Sequence, residues 1–235
     1  MPRGATGLAA EVERRFRQFQ RGTVRPIPWE SVRSGAWLYA ERRAGTPLDW
    51  LWRMTRARYD AMVAKGALEE DEPIELLDGL LIVREPEGGR HAVIVGRVRR
   101  ALEAAFGQGC YVREDKPFAL DDMSEPEPDV VVVRGPDSRY IDQHPSKQLL
   151  VVEVAQSSLN RDRTFKARLY ARAGVADYWI VNLVDEVLEV YRRPVKSPSR
   201  RSGWKYGSVK LLKRGASVTP LAAPRAKIRV ADLLP

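Results

Sequence analysis

Two carboxylates stand in stretches of sequence that otherwise have the composition of buried β-strands. Asp129 opens the run DVVVV, and Glu153 lies inside LLVVEVA. Because side chains alternate between the faces of a strand, Glu153 shares its face with Val151 and Ala155, and the opposite face is apolar too. Such strands are typical of the covered centre of an α/β or mixed sheet. A carboxylate there needs a compensating cation or proton, and two of them at strand ends can bind a hard divalent cation such as Mg²⁺.

A helix that follows Glu153 supplies the third group of interest. Residues 156–160 are rich in cap formers, and RDRTFKARLYARAG then predicts a helix that ends at Gly174. Its apolar stripe is predicted to consist of Phe165, Leu169 and Ala173. Lys166 and Tyr170 are four residues apart, so they lie together beside this stripe and could face the carboxylates of the sheet.

These motifs together resemble a known family. The segments PDVVVV, LVVEV and K-x-x-x-Y-A-x-A-G-V-x-x-Y-W-I-V are similar to the Uma-two-type restriction endonuclease family, a bacterial group of the PD-(D/E)XK nuclease superfamily. The resemblance continues through IELLDGLLIV, RHAVIVGRVRRAL, VLEVYRR and IRVADLLP, so it covers residues 55–235. It implies an α/β (α+β mixed sheet) fold with a restriction-endonuclease-like core, in which helices flank a central mixed β-sheet.

The resemblance also implies roles for particular residues. Asp129 and Glu153 match the metal-binding acids of the family, and Glu75 in IELLDG resembles an acidic residue that approaches the same metal. Superfamily members commonly place a catalytic lysine two residues after the second acid, where this chain has Ala155. The resemblance therefore implies that the lysine has moved to the following helix as Lys166.

Two auxiliary candidates accompany Glu75. His91 matches a recurrent histidine of the family and could contact substrate phosphate or accept a proton, although a lone histidine is more often a cap or a surface residue. Tyr170 is the other. The family often has Gly-Glu where this chain has Gly79-Leu80, which we interpret as a structural variation.

The positive charge of the chain is concentrated near its carboxy terminus. The net charge is +9, yet residues 191–231 hold twelve Lys or Arg and no acid, which leaves 28 basic and 31 acidic residues elsewhere. Such a patch suits a phosphate backbone, while a Pro-, Ser- and Gly-rich solubilising loop is an equal alternative. The candidate nucleic-acid-binding residues are Arg192, Arg193, Lys196, Arg200, Arg201 and Lys205.

Residues 1–54 stand apart as an Arg/Trp-rich extension of the predicted 55–235 nuclease-like domain. Up to Arg53 they hold ten arginines, no lysine and five acids, and four tryptophans lie between residues 29 and 52. Arginine with tryptophan can stack on bases and clamp phosphates. We favour the alternative that the arm packs its indoles on the main domain or on a second subunit.

Local patterns predict several further elements. An amphipathic helix is expected at 54–68, and Asp78-Gly79 is a hairpin signal between two strands. A second helix should bury Val95, Val98, Leu102 and Phe106. Glu125 and Glu127 are expected to stay solvated, because the prolines that follow them prevent a regular ladder.

The composition argues against a membrane or secreted protein. Cys110 is the single cysteine, which excludes an internal disulfide and fits a reducing cytosol. No apolar run approaches membrane-spanning length, and the amino terminus lacks a signal-peptide core. We therefore expect a soluble cytoplasmic protein.

The resulting hypothesis is a Mg²⁺- or Mn²⁺-dependent endonuclease that hydrolyses DNA, with a homodimer as a possible form for cutting two strands. A catalytically inactive nuclease fold that binds nucleic acid is the alternative, supported by Ala155 at the usual lysine position. A metal-dependent hydrolase of small phosphorylated substrates is a third hypothesis.

Overall fold

The computed structural model describes residues 52–68, 72–84, 88–197 and 203–235 of the chain. Residues 1–51 of the predicted Arg/Trp-rich arm, and the candidates Arg200 and Arg201, lie outside the described residues. The chain divides into two compact units, Met1–Met54 with Arg58–Glu70 and Thr55–Ala57 with Asp71–Pro235. The domain boundary after residue 54 stays a prediction. Among the described residues, no helix is long and apolar enough to cross a membrane.

The first described helix, α1, runs from Arg56 to Ala64 and is shorter than the predicted 54–68. Gly66, with a φ of 65°, lies just beyond its end, and its N–H donates to the carbonyl of Val63 at 2.9 Å. A left-handed residue after the last turn is a common helix terminator, because it turns the chain away from the helix axis.

A hairpin follows, as the sequence predicts. Strands β1 (Ile74–Leu77) and β2 (Leu80–Val83) pair antiparallel through a two-residue turn. Asp78 and Gly79 both have positive φ, 53° and 79°. A type I′ turn requires this conformation at both central residues, and the Asp-Gly pair supplies it at low cost.

The centre of the second unit is a six-stranded mixed sheet, which confirms the predicted fold class. Its order is β3-β4-β5-β6-β7-β8, and only β5 and β6 pair in parallel. The strands are β3 (Cys110–Glu114), β4 (Val130–Arg134), β5 (Leu150–Ala155), β6 (Asp177–Asn182), β7 (Val187–Lys196) and β8 (Trp204–Leu212). A two-stranded ladder joins β9 (Ser217–Val218) to β10 (Ile228–Arg229), and a 3₁₀ turn covers Val230–Asp232.

Helices cover both faces of this sheet. On one face lies α2 (Gly89–Phe106), which buries Val95, Val98 and Leu102 against β4 and β5, while Phe106 is only partly buried. On the other face lies a helical segment made of α3 (Leu159–Arg161), a π-helical turn (Asp162–Lys166) and α4 (Ala167–Arg172). Every residue of β5 is buried, as expected for a strand covered on both sides.

The prediction that Glu125 and Glu127 remain solvated is wrong. The N–H of Glu125 donates to the carbonyl of Leu76 at 2.7 Å, which draws this segment against β1. Glu125 is 5 % exposed and lies 3.6 Å from a guanidinium nitrogen of Arg56. Glu127 is half-buried and accepts a hydrogen bond from Arg84. The proline that follows Glu125 leaves the N–H of Glu125 itself available, so an isolated bridge forms without a continuous ladder.

Candidate functional site

Asp129 and Glu153 lie next to each other on adjacent strands. Val130 of β4 pairs with Val152 of β5, so continuing this antiparallel register by one residue puts Asp129 opposite Glu153. Asp129 Oδ2 also accepts a hydrogen bond from the backbone N–H of Val154. Both side chains are largely removed from solvent, since Asp129 is 8 % and Glu153 3 % exposed. The structure therefore brings together the two acids singled out in the sequence.

Lys166 and Tyr170 reach Glu153 from the helical segment, as their spacing suggested. Lys166 Nζ donates to Glu153 Oε1 at 3.0 Å, and the Tyr170 hydroxyl donates to the same oxygen at 2.8 Å. Lys166 Nζ also lies 3.3 Å from Oε2 of Glu75, which comes from β1. One buried ammonium thus bridges two carboxylates from different parts of the chain.

The π-helical turn determines which side of the helical segment faces the sheet. The N–H of Ala167 donates to the carbonyl of Asp162, five residues earlier. In an ideal α-helix, side chains eight residues apart diverge by about 80°, and a wider turn reduces this divergence. Asp162, Lys166 and Tyr170 are consequently all buried. The prediction that Phe165, Leu169 and Ala173 form the buried side of this helix is wrong. Only Leu169 is buried, and the other two are half-buried.

The other two auxiliary candidates border the same cleft. Glu75 is fully buried, and its Oε2 accepts a hydrogen bond from the N–H of Glu127 at 3.3 Å. Its Oε1 has no hydrogen-bond partner. His91 lies in the first turn of α2, where its Nε2 is 3.3 Å from Asp129 Oδ2.

Sequence reasoning missed Asp162. Its side chain is 1 % exposed, and its Oδ2 accepts a hydrogen bond from the Ser158 hydroxyl at 2.6 Å. Its Oδ1 has no hydrogen-bond partner. The available signal was spacing, since Ser158, Asp162, Lys166 and Tyr170 follow one another at intervals of four residues, which places them along one side of a helix.

A cleft with a volume of about 120 Å³ lies among these elements. Its lining includes Glu75, His91, Asp129, Glu153, Ser158, Asp162 and Lys166, together with Arg84, Arg161, Ser157 and others. Five acids and three Lys or Arg residues line the cleft. Arg84 pairs with Glu127, which leaves Lys166 and Arg161 beside the four buried carboxylates of Glu75, Asp129, Glu153 and Asp162. Because Lys166 and Arg161 together cannot neutralise four carboxylates, the cleft favours either retained protons or an added cation.

Burial, together with this charge imbalance, shifts the pKa values in the cleft. Burial raises the pKa of Glu153 to about 8, Lys166 opposes the rise, and the charges of Asp129, Asp162 and Glu75 add to it. Burial also raises the pKa of Asp162. Burial alone would lower the pKa of Lys166, but the nearby carboxylates outweigh burial and raise it above its ordinary value. At neutral pH the Lys166 ammonium therefore stays charged, while Glu153 holds a proton in the metal-free protein.

The donor chemistry of the cleft fits a hard divalent cation. All four acids offer carboxylate oxygens, which Mg²⁺ and Mn²⁺ prefer, and two of these buried oxygens, Glu75 Oε1 and Asp162 Oδ1, lack hydrogen-bond partners. Across the described ranges, no three His, Cys, Asp or Glu side chains already surround one point at metal-ligand geometry. The metal-binding roles of Asp129, Glu153 and Glu75 therefore stay predictions.

A family model described as "Uma2: Putative restriction endonuclease" matches residues 56–226. This chain belongs to the Uma2 family. The Uma2 chain is also similar to a solved structure, that of "a putative nuclease belonging to DUF820" from Anabaena variabilis. The TM-score is 0.50 and the identity 16 %, over 72 % of this chain and 94 % of the other. At that identity the likeness concerns the fold alone. A search of curated proteins found no match.

Arg192 of the Uma2 chain, one of the predicted nucleic-acid-binding residues, has structural partners. Its guanidinium donates to both carboxylate oxygens of Asp177, at 2.7 and 3.2 Å, and to the carbonyl of Thr219 at 2.6 Å. The Asp177 side chain is fully buried. This pair joins the start of β6 to β7 and to the segment beyond β9.

The other described basic candidates lie farther along the β7–β8 hairpin. Arg193 donates to the carbonyl of Gly207 at 3.0 Å, Lys196 Nζ lies 5.9 Å from the centre of the Trp204 ring, and Lys205 is exposed. The register of the sheet pairs the first residue of β6 with Arg192, whereas Glu153 faces the middle of β6. The structure therefore does not bring these residues to the acidic cleft, and their role in binding nucleic acid stays a prediction.

Proposed function

We propose that this Uma2 protein is a divalent-metal-dependent endonuclease that hydrolyses phosphodiester bonds of DNA. The observation that carries the proposal is the cleft in which four buried carboxylates face only Lys166 and Arg161. Such an excess of negative charge favours binding of a hard divalent cation, Mg²⁺ or Mn²⁺. The description of the family supports a nucleic acid as the substrate.

Asp129 and Glu153 would hold the cation, with Glu75 as the third acid. Bound Mg²⁺ or Mn²⁺ would supply a Lewis acid for the scissile phosphate and lower the pKa of a coordinated water. Lys166 and Tyr170 both donate to Oε1 of Glu153, while its Oε2 accepts no hydrogen bond from the described residues. Glu153 is thus fixed in orientation through Oε1, and its Oε2 would be available to bind the cation.

Lys166 and His91 would act on the substrate side. Lys166 is kept protonated by its carboxylate neighbours, so its ammonium can stabilise the negative charge that develops on the phosphate during hydrolysis. His91 contacts Asp129 at 3.3 Å, which places an imidazole at the edge of the cleft where it can accept or donate a proton.

Arg161 is the residue best placed to bind a phosphate of the DNA backbone. It lines the cleft, and its Nη1 donates only to the carbonyl of Val83, at 3.3 Å, without an ion pair to any carboxylate that the structure describes. Arg84, the other arginine of the cleft, is engaged by Glu127 and lies 3.5 Å from Asp115. An arginine without a carboxylate partner can form bidentate contacts with a phosphate.

A plasmid-nicking assay tests the proposal. Purified protein should nick supercoiled DNA with Mg²⁺ or Mn²⁺ and lose this activity in EDTA. Asp129→Asn and Glu153→Gln should each abolish nicking while the circular dichroism spectrum stays that of the folded protein. Glu103→Gln removes the same charge at an exposed site on α2 and should leave nicking unchanged. Full activity in both cleft variants would refute the proposal.

The non-cleaving alternative predicts a different pattern. It was supported by Ala155, which stands where related nucleases carry a lysine, but Lys166 reaches Glu153 from the helix instead and removes much of that support. A protein that only binds nucleic acid would show salt-sensitive DNA binding, no measurable affinity for Mn²⁺ and no nicking. Calorimetric titration with Mn²⁺ separates the two functions.

A further inference from the structure

The carboxylate of Asp162 is buried in the cleft with one oxygen unpartnered. Oδ2 accepts the Ser158 hydroxyl at 2.6 Å, but Oδ1 is inaccessible to solvent and accepts no hydrogen bond. The charge of Lys166 attracts Asp162, but its ammonium donates to Glu153 and pairs with Glu75 and does not donate to Oδ1. A buried polar atom in this state costs roughly 1–3 kcal/mol, and more when it carries charge, so it indicates an ion or a water at this position.

The backbone around Asp162 is held in place by three contacts. Its carbonyl accepts the N–H of Ala167 across the π-helical turn and the hydroxyl of Tyr178 at 3.2 Å, and its own N–H donates to the carbonyl of Ser158. π-Helical turns are uncommon and occur often at functional sites, because they alter which side chains share a helix face. Here the turn puts the carboxylate on the side of the segment that faces the sheet.

The surroundings of Oδ1 favour a cation over a buried water. Asp129 and Glu153 repel the charge of Asp162, whereas Lys166 and Arg161 attract it, and all of these side chains line the cleft. Glu75 contributes a second unpartnered oxygen there. A water would satisfy the hydrogen-bonding needs of these oxygens, but it would not offset the excess of the four carboxylates over Lys166 and Arg161. A divalent cation would coordinate the unpartnered oxygens and would also offset the excess negative charge.

We propose that Asp162, oriented by the Ser158 hydroxyl, is a ligand of the divalent cation in addition to Asp129 and Glu153. This inference rests on the proposed function, because it requires the same cation. It adds to the cation's ligands a carboxylate from the helical segment rather than from the sheet. The site is then closed from two sides, by strands β4 and β5 and by the π-helical turn.

Titration of the DNA-free protein with Mn²⁺, followed by electron paramagnetic resonance of the free ion, tests the inference without any activity measurement. Asp162→Asn should weaken Mn²⁺ binding at least tenfold. Ser158→Ala should weaken it about threefold, and Ser158→Thr, which keeps the hydroxyl, should restore it. Asp185→Asn removes a carboxylate that is exposed and outside the cleft, so it should bind Mn²⁺ like the wild type.

The outcomes distinguish this inference from the proposed function. If Asp129→Asn abolishes Mn²⁺ binding and Asp162→Asn leaves it unchanged, the role of Asp162 is refuted and the proposed function stands. If the wild type binds no Mn²⁺, the proposed function fails and this inference fails with it. Thermal unfolding of each variant with and without Mn²⁺ gives a second readout, because a ligand variant that folds should lose the increase in Tm that Mn²⁺ gives the wild type.

Discussion

Replacing Glu153 with Gln should stabilise the metal-free protein at alkaline pH, although Glu153 is proposed to be essential for activity. Gln keeps the size of the side chain and an oxygen that can accept hydrogen bonds from Lys166 and Tyr170. It removes one of four buried carboxylates, and the structure holds only one lysine among them. The variant therefore avoids the cost of burying an ionised carboxylate, and it also relieves the repulsion by the other carboxylates whenever Glu153 is ionised.

The size of the effect follows from the pKa of Glu153, which is raised from 4.5 to about 8. An acid with a raised pKa in the folded state contributes full stability below its unfolded pKa and loses that stability as the pH rises through its folded pKa. Stability falls by about 1.4 kcal/mol for each pH unit in which Glu153 is protonated in the folded chain and ionised in the unfolded chain. The free energy of unfolding should therefore fall by roughly 4 kcal/mol between pH 5 and pH 9. Lys166 remains protonated throughout this range, because its pKa is raised.

Urea denaturation in EDTA at pH 5 and pH 9 measures this difference. Relative to the wild type, Glu153→Gln should gain on the order of 4 kcal/mol in unfolding free energy between the two pH values. Mn²⁺ should then act in the opposite sense. At a hundred times its Kd, a ligand that binds only the folded state adds about 2.7 kcal/mol, and the wild type should gain this while the variant gains less.

Glu189 provides the matched control. It is as buried as Glu153, but it is paired with Arg163 and accepts hydrogen bonds from Asn182 and Tyr191. Glu189→Gln should destabilise the protein at both pH values, because it weakens a satisfied ion pair. If Glu153→Gln destabilises the metal-free protein equally at pH 5 and pH 9, the charge imbalance inferred for the cleft is wrong.

Three further variants test other parts of the structure. Arg161→Ala should weaken DNA binding about tenfold in a gel mobility shift in Ca²⁺ buffer, and it should reduce the slope of log K against log salt concentration by about one. Arg134 is exposed and outside the cleft, so Arg134→Ala should change neither value. Tyr170→Phe should lower stability by about 1 kcal/mol in urea denaturation, because it removes one buried hydrogen bond. Asp177→Ala should cost about 3–5 kcal/mol and reduce Tm strongly, because it leaves the Arg192 guanidinium unpaired; an unchanged Tm would refute the structural role of that pair.

The sheet and its flanking elements could be predicted because their signals are local. The Asp78-Gly79 turn is a two-residue pattern with one favoured geometry, and the unbroken apolar run around Glu153 indicates a strand covered on both faces. Asp129 and Glu153 stood out for the same reason, since a carboxylate is conspicuous only where its neighbours are apolar. Family resemblance then suggested that the helix carries Lys166.

Asp162 could not be found in this way because it lies among other polar residues. In LNRDRTFK it resembles an ordinary solvated helix residue, and its burial depends on the π-helical turn and on the packing of that segment against the sheet. Arg192 posed the converse problem. It lies in a basic stretch that suggests nucleic-acid binding, but its partner Asp177 is reached only through the pairing of β6 with β7. The composition of a sequence shows how many charges a stretch carries, but not which of them pair with other charges in the fold.

The separation between the acidic cleft and the far end of the β7–β8 hairpin sets a length for any DNA that touches both. Glu153 pairs with Ile180, which lies three residues from Asp177 at the start of β6. Asp177 pairs with Arg192 of β7, and Lys196 lies four residues farther along β7. Seven residues of strand extend about 23 Å. At about 3.4 Å per base pair, this separation corresponds to roughly seven base pairs. If both proposed roles hold and the duplex runs along the strands, fragments much shorter than this would reach only one of the two regions.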